Sequence, residues 1–548
     1  MNKEQLIVKG VVVDPLNKTI EGGRIIITNG KITAIEHDSS IAQPFILPGF
    51  VDSHIHIESS MLIPSKFAKM ALAHGTIAVV CDPHEVANVA GIDGINYMLN
   101  DAKQSPLKFF FGVPSCVPAS PQEKSGAVIN TKDVEELLSK NDFLFLAEMM
   151  NFPGVIYDDP EVQKKLNAAI KINKPIDGHA PGLSGEGLKK YIDKGITTDH
   201  ECSTLLEAEE KIALGMKILI REGSAAKNFN NLIPLIENYP QSVMFCTDDC
   251  HPDYLEKGHI NRMVDRAIGL GYNLFDVIKA ASINPIKHYN LPLGMLQVND
   301  SADFIMVEDL THFKVLDTYI AGKSMVEELK TKNIIPETIK PRYAFREKPI
   351  VKEDLKVISS GSRFNVIQAI DGDLITDWLI METLAPAESE IIAQPENDLL
   401  KIVLLDRYSE EKPVVGFIKG FNLKQGAMAA SIAHDSHHLI SIGSNEQDIV
   451  DAVNWIVEHK GGICFTNRGE TNGIPLNYFG LMGDADGMKM SADYSALNQL
   501  VKRSGCSLSA PFMTLSFMGL TVIPKLKINH NGLFDGINFK NVPLFFNF

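Results

Sequence analysis

Eight short apolar segments between residues 46 and 296 alternate with stretches of helical periodicity. Alternation of this kind is typical of parallel βαβ units, because each helix returns the chain to the same end of the sheet. The pattern predicts an α/β protein built on a (β/α)₈ TIM-type barrel. The predicted strands are Ile46–Ile57, Thr76–Asp82, Phe109–Val113, Phe143–Met150, Pro175–Ala180, Ile196–His200, Met216–Glu222 and Val243–Asp249.

The first predicted strand carries two histidines, His54 and His56, separated by one residue. Residues two apart on a strand project from the same face, so both imidazoles point toward one spot. Neutral imidazole binds Zn, Mn and Fe ions, which makes this pair a candidate metal site. The alternative is two histidines with ordinary hydrogen bonds, and further ligands at the ends of later strands would argue against it.

Such ligands do follow, at the carboxyl ends of strands, where a barrel of this type has its active site. Each one alone could be an ordinary polar strand end, but together they form the ligand set of a two-metal site. The predicted metal ligands are His54, His56, Glu148, His179, His200 and Asp248. Glu148 closes a very apolar strand and needs a partner, since a bare buried charge is costly.

This ligand set predicts hydrolytic chemistry. Glu148 is the candidate bridge between two divalent ions, which would lower the pKa of a water and give hydroxide at neutral pH. Asp248 would take the proton of this water and pass it to the leaving group. Nitrogen and oxygen ligands without thiolate favour Mn(II) or Fe(II) and also admit Zn(II).

Longer strings around these positions resemble a known family. The segment Leu47-Pro-Gly-Phe-Val-Asp-Ser-His-Ile-His is similar to the amidohydrolase superfamily. The strings Cys81-Asp-Pro-His-Glu-Val-Ala-Asn and Thr247-Asp-Asp-Cys-His-Pro-Asp resemble its bacterial adenine deaminase branch, and the resemblance covers nearly the whole chain. It implies hydrolysis of adenine to hypoxanthine and ammonia in purine salvage, with Mn or Fe and a bridging glutamate. The chain departs from the family at His438, where asparagine is more usual.

Two other functions stay open on the residues alone. One is another amidohydrolase reaction, on a cyclic amide or a different aminopurine. The other is a non-catalytic relative that keeps the barrel as a scaffold, although such relatives lose ligands and this chain has the whole predicted set. The single-zinc design of cytidine deaminases is excluded, because it needs Pro-Cys-x-x-Cys, which does not occur here.

Two carboxyl groups beyond the ligands are candidate catalytic acids. Glu58 or Glu85 would protonate or hydrogen-bond a ring nitrogen of the purine, while Asp248 moves the proton of water. Glu58 could instead orient His56.

Further side chains are candidates for binding the substrate. These are Asp82, His84, Glu222, His434 and His437. Structural alternatives exist for each group: Asp82 could cap a helix, Glu222 could pair with Arg221, and residues 434–438 could form a surface loop.

The remaining sequence predicts three further parts. Residues 1–45 and 297–327 contain short strands and turns, including Asn29-Gly30 between apolar runs, and predict one small β-sandwich formed from both sides of the barrel. Residues 328–356 are rich in Lys, Glu and Pro and predict an exposed connector. Residues 357–548 predict a C-terminal α+β domain of the adenine deaminase type.

Charge and composition restrict the partners of the chain. The formal net charge of −16 argues against nucleic-acid and anionic-membrane binding, which need basic surfaces. No signal peptide or membrane span is visible, and seven cysteines without C-x-x-C indicate a reducing, cytoplasmic location. Apolar segments in the C-terminal domain favour a homodimer. The expected substrate is a small molecule.

Overall fold

A ring of parallel strands forms the centre of the protein. The computed structural model describes residues 5–224, 226–331, 341–383 and 388–547. The barrel strands are Phe50–His56, Thr76–Cys81, Lys108–Val113, Phe143–Met149, Ile176–Gly178, Thr198–Asp199, Lys217–Arg221 and Val243–Cys246, the last continued by Asp248–Asp249. Asp248 pairs in parallel with Ile55, which joins the last strand to the first. The predicted (β/α)₈ barrel is confirmed.

The barrel strands are buried on both faces, as parallel sheets covered by helices usually are. All residues of Thr76–Cys81 are buried, for example. The helices of this region are Pro64–Ala73, His84–Ala102, Thr131–Leu138, Phe152–Ile156, Pro160–Lys171, Gly185–Asp193, Leu205–Ala213, Phe229–Leu232, Leu235–Asn238, Pro252–Leu255, Ile260–Gly269, Leu274–Ile278 and Asn284–His288, with a 3₁₀ turn at Ile57–Ser60 and a π-helical turn at Lys279–Ile283.

The first predicted strand, Ile46–Ile57, is divided in two. Phe45–Pro48 belongs to a separate sheet and Phe50–His56 begins the barrel. Gly49 lies at the division, and a Cβ atom there would come within 2.4 Å of the Ile77 side chain. Glycine therefore permits the close approach of the chain to the second barrel strand.

The N-terminal strands and the strands after the barrel, for which the sequence predicts a small β-sandwich, form one seven-stranded sheet. The order of strands is Lys323–Ser324, Val315–Ile320, Phe304–Val307, Phe45–Pro48, Gln5–Asp14, Thr19–Thr28 and Lys31–His37. Phe304 and Ile46 pack with Val12 and Ile25 in a small apolar core of this sheet.

The C-terminal part contains a nine-stranded mixed sheet, a three-stranded sheet and several helices. The large sheet has the order Asp377–Glu382, Arg363–Gln368, Val414–Lys419, Leu400–Leu405, Leu439–Gly443, Ala427–Ala430, Gly462–Asn467 and Glu470–Pro475, with Phe545–Phe546 also pairing with Arg363–Gln368. The small sheet contains Leu526–Asn529, Gly532–Asp535 and Lys540–Val542. The helices are Glu446–His459, Gly487–Arg503 and Pro511–Ser516, with 3₁₀ turns at Lys352–Leu355, Pro395–Asn397 and Phe517–Gly519.

This C-terminal part lies over the carboxyl end of the barrel, where its loops meet those that follow the barrel strands. Leu62, after the first barrel strand, forms a β-bridge with Gly483. Helix Met325–Thr331 follows the seven-stranded sheet. The predicted connector 328–356 falls partly outside the described residues, since they exclude 332–340. Among the described helices, none combines the length and apolar character needed to cross a membrane.

Candidate metal centre and active site

The predicted metal ligands converge at the carboxyl end of the barrel. His54 and His56 come from the first strand and place their Nε2 atoms 3.2 Å apart. Glu148 is the next-to-last residue of the fourth strand, and its side chain is buried among imidazoles. The other three, His179, His200 and Asp248, follow the fifth, sixth and eighth strands. Six side chains from five strands thus meet in one buried cluster.

Glu148 lies at the centre of the cluster with its two carboxylate oxygens facing different histidines. Oε1 is 3.3 Å from Nε2 of His56 and 3.8 Å from Nε2 of His54. Oε2 is 2.7 Å from Nδ1 of His179 and 3.4 Å from Nε2 of His200. A carboxylate placed in this way has the geometry of a bridge between two neighbouring positions.

Asp248 faces the first of these positions. Its Oδ1 atom is 3.1 Å from Nε2 of His56 and 3.4 Å from Nε2 of His54. Its backbone has a φ of 56°, in the left-handed region that residues other than glycine seldom adopt. Such conformations occur preferentially where the surrounding structure holds a functional side chain in place.

The donor set fits divalent metal ions. Nδ1 of His56 lies 3.0 Å from the backbone carbonyl of Asp82, which can accept its N–H and leave Nε2 with a free lone pair. Burial raises the pKa of Glu148, but His179 and the other imidazoles outweigh it and hold the pKa well below its ordinary value. The carboxylate is therefore ionised, as a ligand must be.

Arg221 and Glu201 complete the cluster, although neither was among the predicted site residues. Arg221 donates to both Glu201 and Asp248, with Nη1 2.8 Å from Oδ2 of Asp248. Glu201 has its Oε1 atom 3.4 Å from Nε2 of His200 and 3.8 Å from Nδ1 of His179. A signal for Glu201 was its place directly after His200 at a strand end.

Asp82 and His84 lie at the edge of the metal cluster. Nδ1 of His84 is 3.0 Å from Oδ2 of Asp82 and 3.5 Å from Oε1 of Glu148. Both side chains are buried. The structure therefore brings these two predicted substrate-binding residues next to the predicted ligands.

Glu85 is held between two histidines of the C-terminal part. Its Oε1 atom is 2.5 Å from Nδ1 of His434, and Oε2 contacts Nε2 of His437. Burial lowers the pKa of His434, but Glu85 and Asp249 outweigh it and raise the pKa to about 9. We call Glu85, His434 and His437 the Glu85 clamp. Residues 434–438 are thus buried against the barrel and do not form a surface loop.

Glu58 binds the helix that carries Glu85. Its Oε1 atom accepts a hydrogen bond from the backbone N–H of Val86, 3.1 Å away, in the first turn of the helix that carries Glu85. Burial raises the pKa of Glu58 to about 7. Its carboxyl group is therefore partly protonated near neutral pH.

Glu222 does not join the site. Its side chain is 2.8 Å from Nη1 of Arg266 and accepts a hydrogen bond from the Tyr254 hydroxyl at 3.1 Å. The alternative of an Arg221–Glu222 pair is also wrong, because Arg221 binds Glu201 and Asp248 instead. Successive residues of a strand point to opposite sides, so these two neighbours have different surroundings.

A small cavity, which we call the chamber, lies between the metal cluster and the Glu85 clamp. It has a volume of about 30 Å³ and is lined by Glu148, Asp248, His434 and apolar side chains of the C-terminal part. Carboxylates and imidazoles thus surround this space, which suits metal-assisted hydrolysis of a small polar molecule.

Comparisons with known proteins agree with this geometry. The Amidohydrolase family matches residues 45–325, and the Adenine deaminase C-terminal domain matches residues 373–540. An adenine deaminase of Methanosarcina mazei is 47% identical over 98% of this chain and 99% of its own. An adenine deaminase of Sulfurovum sp. is 47% identical over 97% and 98% of the two chains.

Solved structures match more distantly. The crystal structure of a dihydroorotase shares 16% identity and a TM-score of 0.43 over 58% of this chain and 97% of that chain, too little to add to the assignment. The sequence identity to the curated proteins is decisive, since it extends over both the barrel and the C-terminal part. The chain belongs to the adenine deaminase family of amidohydrolases.

Proposed function

We propose that this chain hydrolyses adenine to hypoxanthine and ammonia, as a step of purine salvage, at a site that holds two divalent cations. The observation that most supports two cations is the placement of Glu148, whose oxygens face His54 and His56 on one side and His179 and His200 on the other. Asp248 faces the first pair from the adjacent last strand. The proposed ligands are His54, His56, Glu148, His179, His200 and Asp248.

The choice of cation follows from the donors. Imidazole nitrogen and carboxylate oxygen suit Mn(II), Fe(II) and Zn(II), and the absence of thiolate from the proposed set favours the first two. When bound, such cations lower the pKa of water and so supply a nucleophile at neutral pH.

Asp248 is the proposed proton carrier. It accepts a proton from the attacking water and delivers it to the amino group at C6 of adenine, which leaves as ammonia. The oxygen of water becomes the carbonyl oxygen of hypoxanthine, and the second proton of water ends on the ring nitrogen N1. Arg221 holds Oδ2 of Asp248 at 2.8 Å and so fixes the direction of the carboxylate during both transfers.

The Glu85 clamp is the proposed contact for the purine ring. Glu85 and His434 both line the chamber, whereas Glu58 is not part of its lining. In the chamber, Glu85 would accept a hydrogen bond from an N–H of the purine ring. His434 would donate one to a nitrogen of the same ring. Addition of water at C6 removes the aromaticity of the ring, and contacts that strengthen in that state lower the barrier.

The direct test is ammonia release from adenine by purified protein that has been stripped of metal and reloaded with Mn(II), Fe(II) or Zn(II). We expect turnover to return at about two bound ions per chain, the number that a two-metal site requires. A panel of guanine, hydantoin and dihydrouracil serves as the control. Turnover of a cyclic amide with none of adenine would instead indicate the ring-opening reaction of other amidohydrolases.

The predicted homodimer and the cytoplasmic location stay predictions. Light scattering on the purified protein tests the first, and fractionation of cells tests the second.

A further inference from the structure

Apolar side chains of the C-terminal part form a cover over the chamber, which we call the roof. The roof consists of Leu374, Phe517, Leu520 and Ile523. All four are buried and pack together with Met513. The roof separates the chamber from a second, larger cavity, the vestibule, which has a volume of about 1230 Å³. Three residues, Glu201, Leu374 and Ile523, line both cavities and therefore form the wall between them.

The chamber is too small for a purine in this arrangement. Its volume of about 30 Å³ has room for roughly two water molecules, at 10–15 Å³ each. The vestibule also reaches Glu201 and Arg221 at the side of the metal cluster. Substrate in the vestibule would have to cross this wall to reach the chamber, and Leu374 and Ile523 are its apolar part.

The roof is formed by two chain segments far apart in sequence, 370–376 and 517–523. Thr376, at the end of the first segment, binds the residues that directly follow the second through its backbone and side chain. Its N–H donates to the carbonyl of Pro524 at 3.0 Å, and its hydroxyl donates to the carbonyl of Leu526 at 2.8 Å. The relative position of the segments thus depends on a few polar contacts just beside the apolar cover.

Lys527 makes the most unusual of these contacts. Its side chain is completely buried, and Nζ donates to the carbonyls of Leu374, at 2.7 Å, and of Phe517, at 3.1 Å. Among the described residues, no carboxylate lies within ion-pairing distance of it. A buried amine without an acidic partner is costly, and an apolar residue would avoid that cost. The lysine therefore has a local task, and its two acceptors are both roof residues.

The roof also touches the Glu85 clamp. The ring of Phe517 stacks on that of His434, with centroids 4.5 Å apart and an interplanar angle of 12°. His434 in turn is 2.5 Å from Oε1 of Glu85. A displacement of Phe517 would consequently move the groups proposed to face the purine ring.

We propose that Lys527 is a positioning residue that fastens the two roof segments together over bound substrate, and that Leu374 and Ile523, the apolar part of the wall, are the gate through which substrate passes from the vestibule. The substrate part of this inference rests on the proposed adenine hydrolysis. Lys527 acts through Leu374 and Phe517 and does not touch the reacting atoms.

The test is Lys527→Met, which keeps the length and apolar stem but removes both hydrogen bonds. We expect the KM for adenine to rise about tenfold, the effect of losing a buried hydrogen bond, with a smaller change in kcat and unchanged metal content. Hydrogen–deuterium exchange at 370–376 and 517–523 should become faster. Lys527→Arg keeps hydrogen-bond donors at this position, so its KM and its exchange rates in the two segments should stay close to those of the wild type.

The matched control is Lys174→Met. Lys174 also donates to backbone carbonyls, including that of Leu138 at 2.5 Å, but it lies beside Phe143 at the opposite end of the barrel. It should alter neither KM nor exchange in the roof. Unchanged KM and unchanged roof exchange in a folded Lys527→Met would overturn the proposal.

Two further measurements keep the test decisive. If Lys527→Met does not fold, Thr376→Val removes the neighbouring hydrogen bond to Leu526 and should speed exchange in the same two segments; unchanged exchange there would count against the fastening. If the wild type releases no ammonia from adenine, the proposed function fails. The exchange comparison still decides whether Lys527 fastens the roof, because it needs no turnover.

Discussion

Arg221 donates a hydrogen bond from Nη1 to Oδ2 of Asp248 at 2.8 Å, on the side of the carboxylate that faces away from the paired histidines. Burial raises the pKa of Asp248, but Arg221 and the histidines outweigh it and hold the pKa well below its ordinary value. One oxygen is thus oriented by a fixed cation while the other faces the proposed metal site. A carboxylate oriented in this way releases an acquired proton readily, as transfer to a leaving amine requires.

Arg221→Met should impair both folding and catalysis, because it leaves Glu201 and Asp248 buried without their cation. Breaking a buried ion pair by removing one partner costs about 3–5 kcal/mol, and we expect kcat to fall about 100-fold, the contribution of a well-placed proton carrier. Urea unfolding and steady-state kinetics measure the two effects. Arg266→Met is the control: Arg266 is partly exposed and pairs with Glu222, so it should cost under about 1 kcal/mol.

Glu148→Gln should abolish the second bound cation. The amide keeps the shape of the side chain but loses the negative charge that would attract both cations. Loss of even a residue that only hydrogen-bonds to a metal ligand lowers the metal affinity about 10–100-fold. We expect the metal content to fall from about two ions to one or fewer per chain, together with activity. Elemental analysis after dialysis measures the content. Two retained ions would contradict the bridging role.

Glu85→Gln should lower kcat/KM for adenine by about 100-fold without loss of metal. The charge that holds His434 and His437 disappears, and burial, which lowers the pKa of His434, is then opposed mainly by Asp249. Glu222→Gln serves as the comparison, since Glu222 lies outside the chamber lining and contacts Arg266. Equal effects of the two substitutions would argue against a substrate contact at Glu85.

Lys527 should give stability a distinct pH dependence. Burial lowers its pKa to about 7 from the ordinary 10.5, so between these values the unfolded chain binds one more proton than the folded chain. The contribution of Lys527 to the free energy of unfolding therefore increases as the pH rises from about 7 to 10.5. The difference in unfolding free energy between wild type and Lys527→Met should rise over this range in urea titrations. A flat difference would contradict the lowered pKa.

The barrel and the central cluster follow from sequence because both depend on local pattern. Alternating strands and helices predict the ring, and the ring brings strand ends such as His56, Glu148 and His200 to one edge. The division at Gly49 was missed, because an uninterrupted apolar run gives no sign that strand pairing changes partner within it.

The other parts of the site depend on contacts that the periodicity of the sequence does not encode. Glu201 follows His200 directly, and the alternation of side chains along a strand would point it away from the metal cluster. The sixth strand ends at Asp199, however, and the side chains of His200 and Glu201 both turn toward the cluster. The contact of Glu85 with His434 joins residues about 350 positions apart. No local pattern predicts which segment of the C-terminal part covers the barrel, or that Lys527 would be buried beside it.

The Glu85 clamp joins a helix of the barrel to a loop of the C-terminal part, and neither half has a complete site alone. Exchange of the two halves between relatives should therefore succeed only where both sides of this contact are inherited together. Over evolutionary time the two sequence blocks would be constrained to change in concert, and recombination at the junction between them would be selected against.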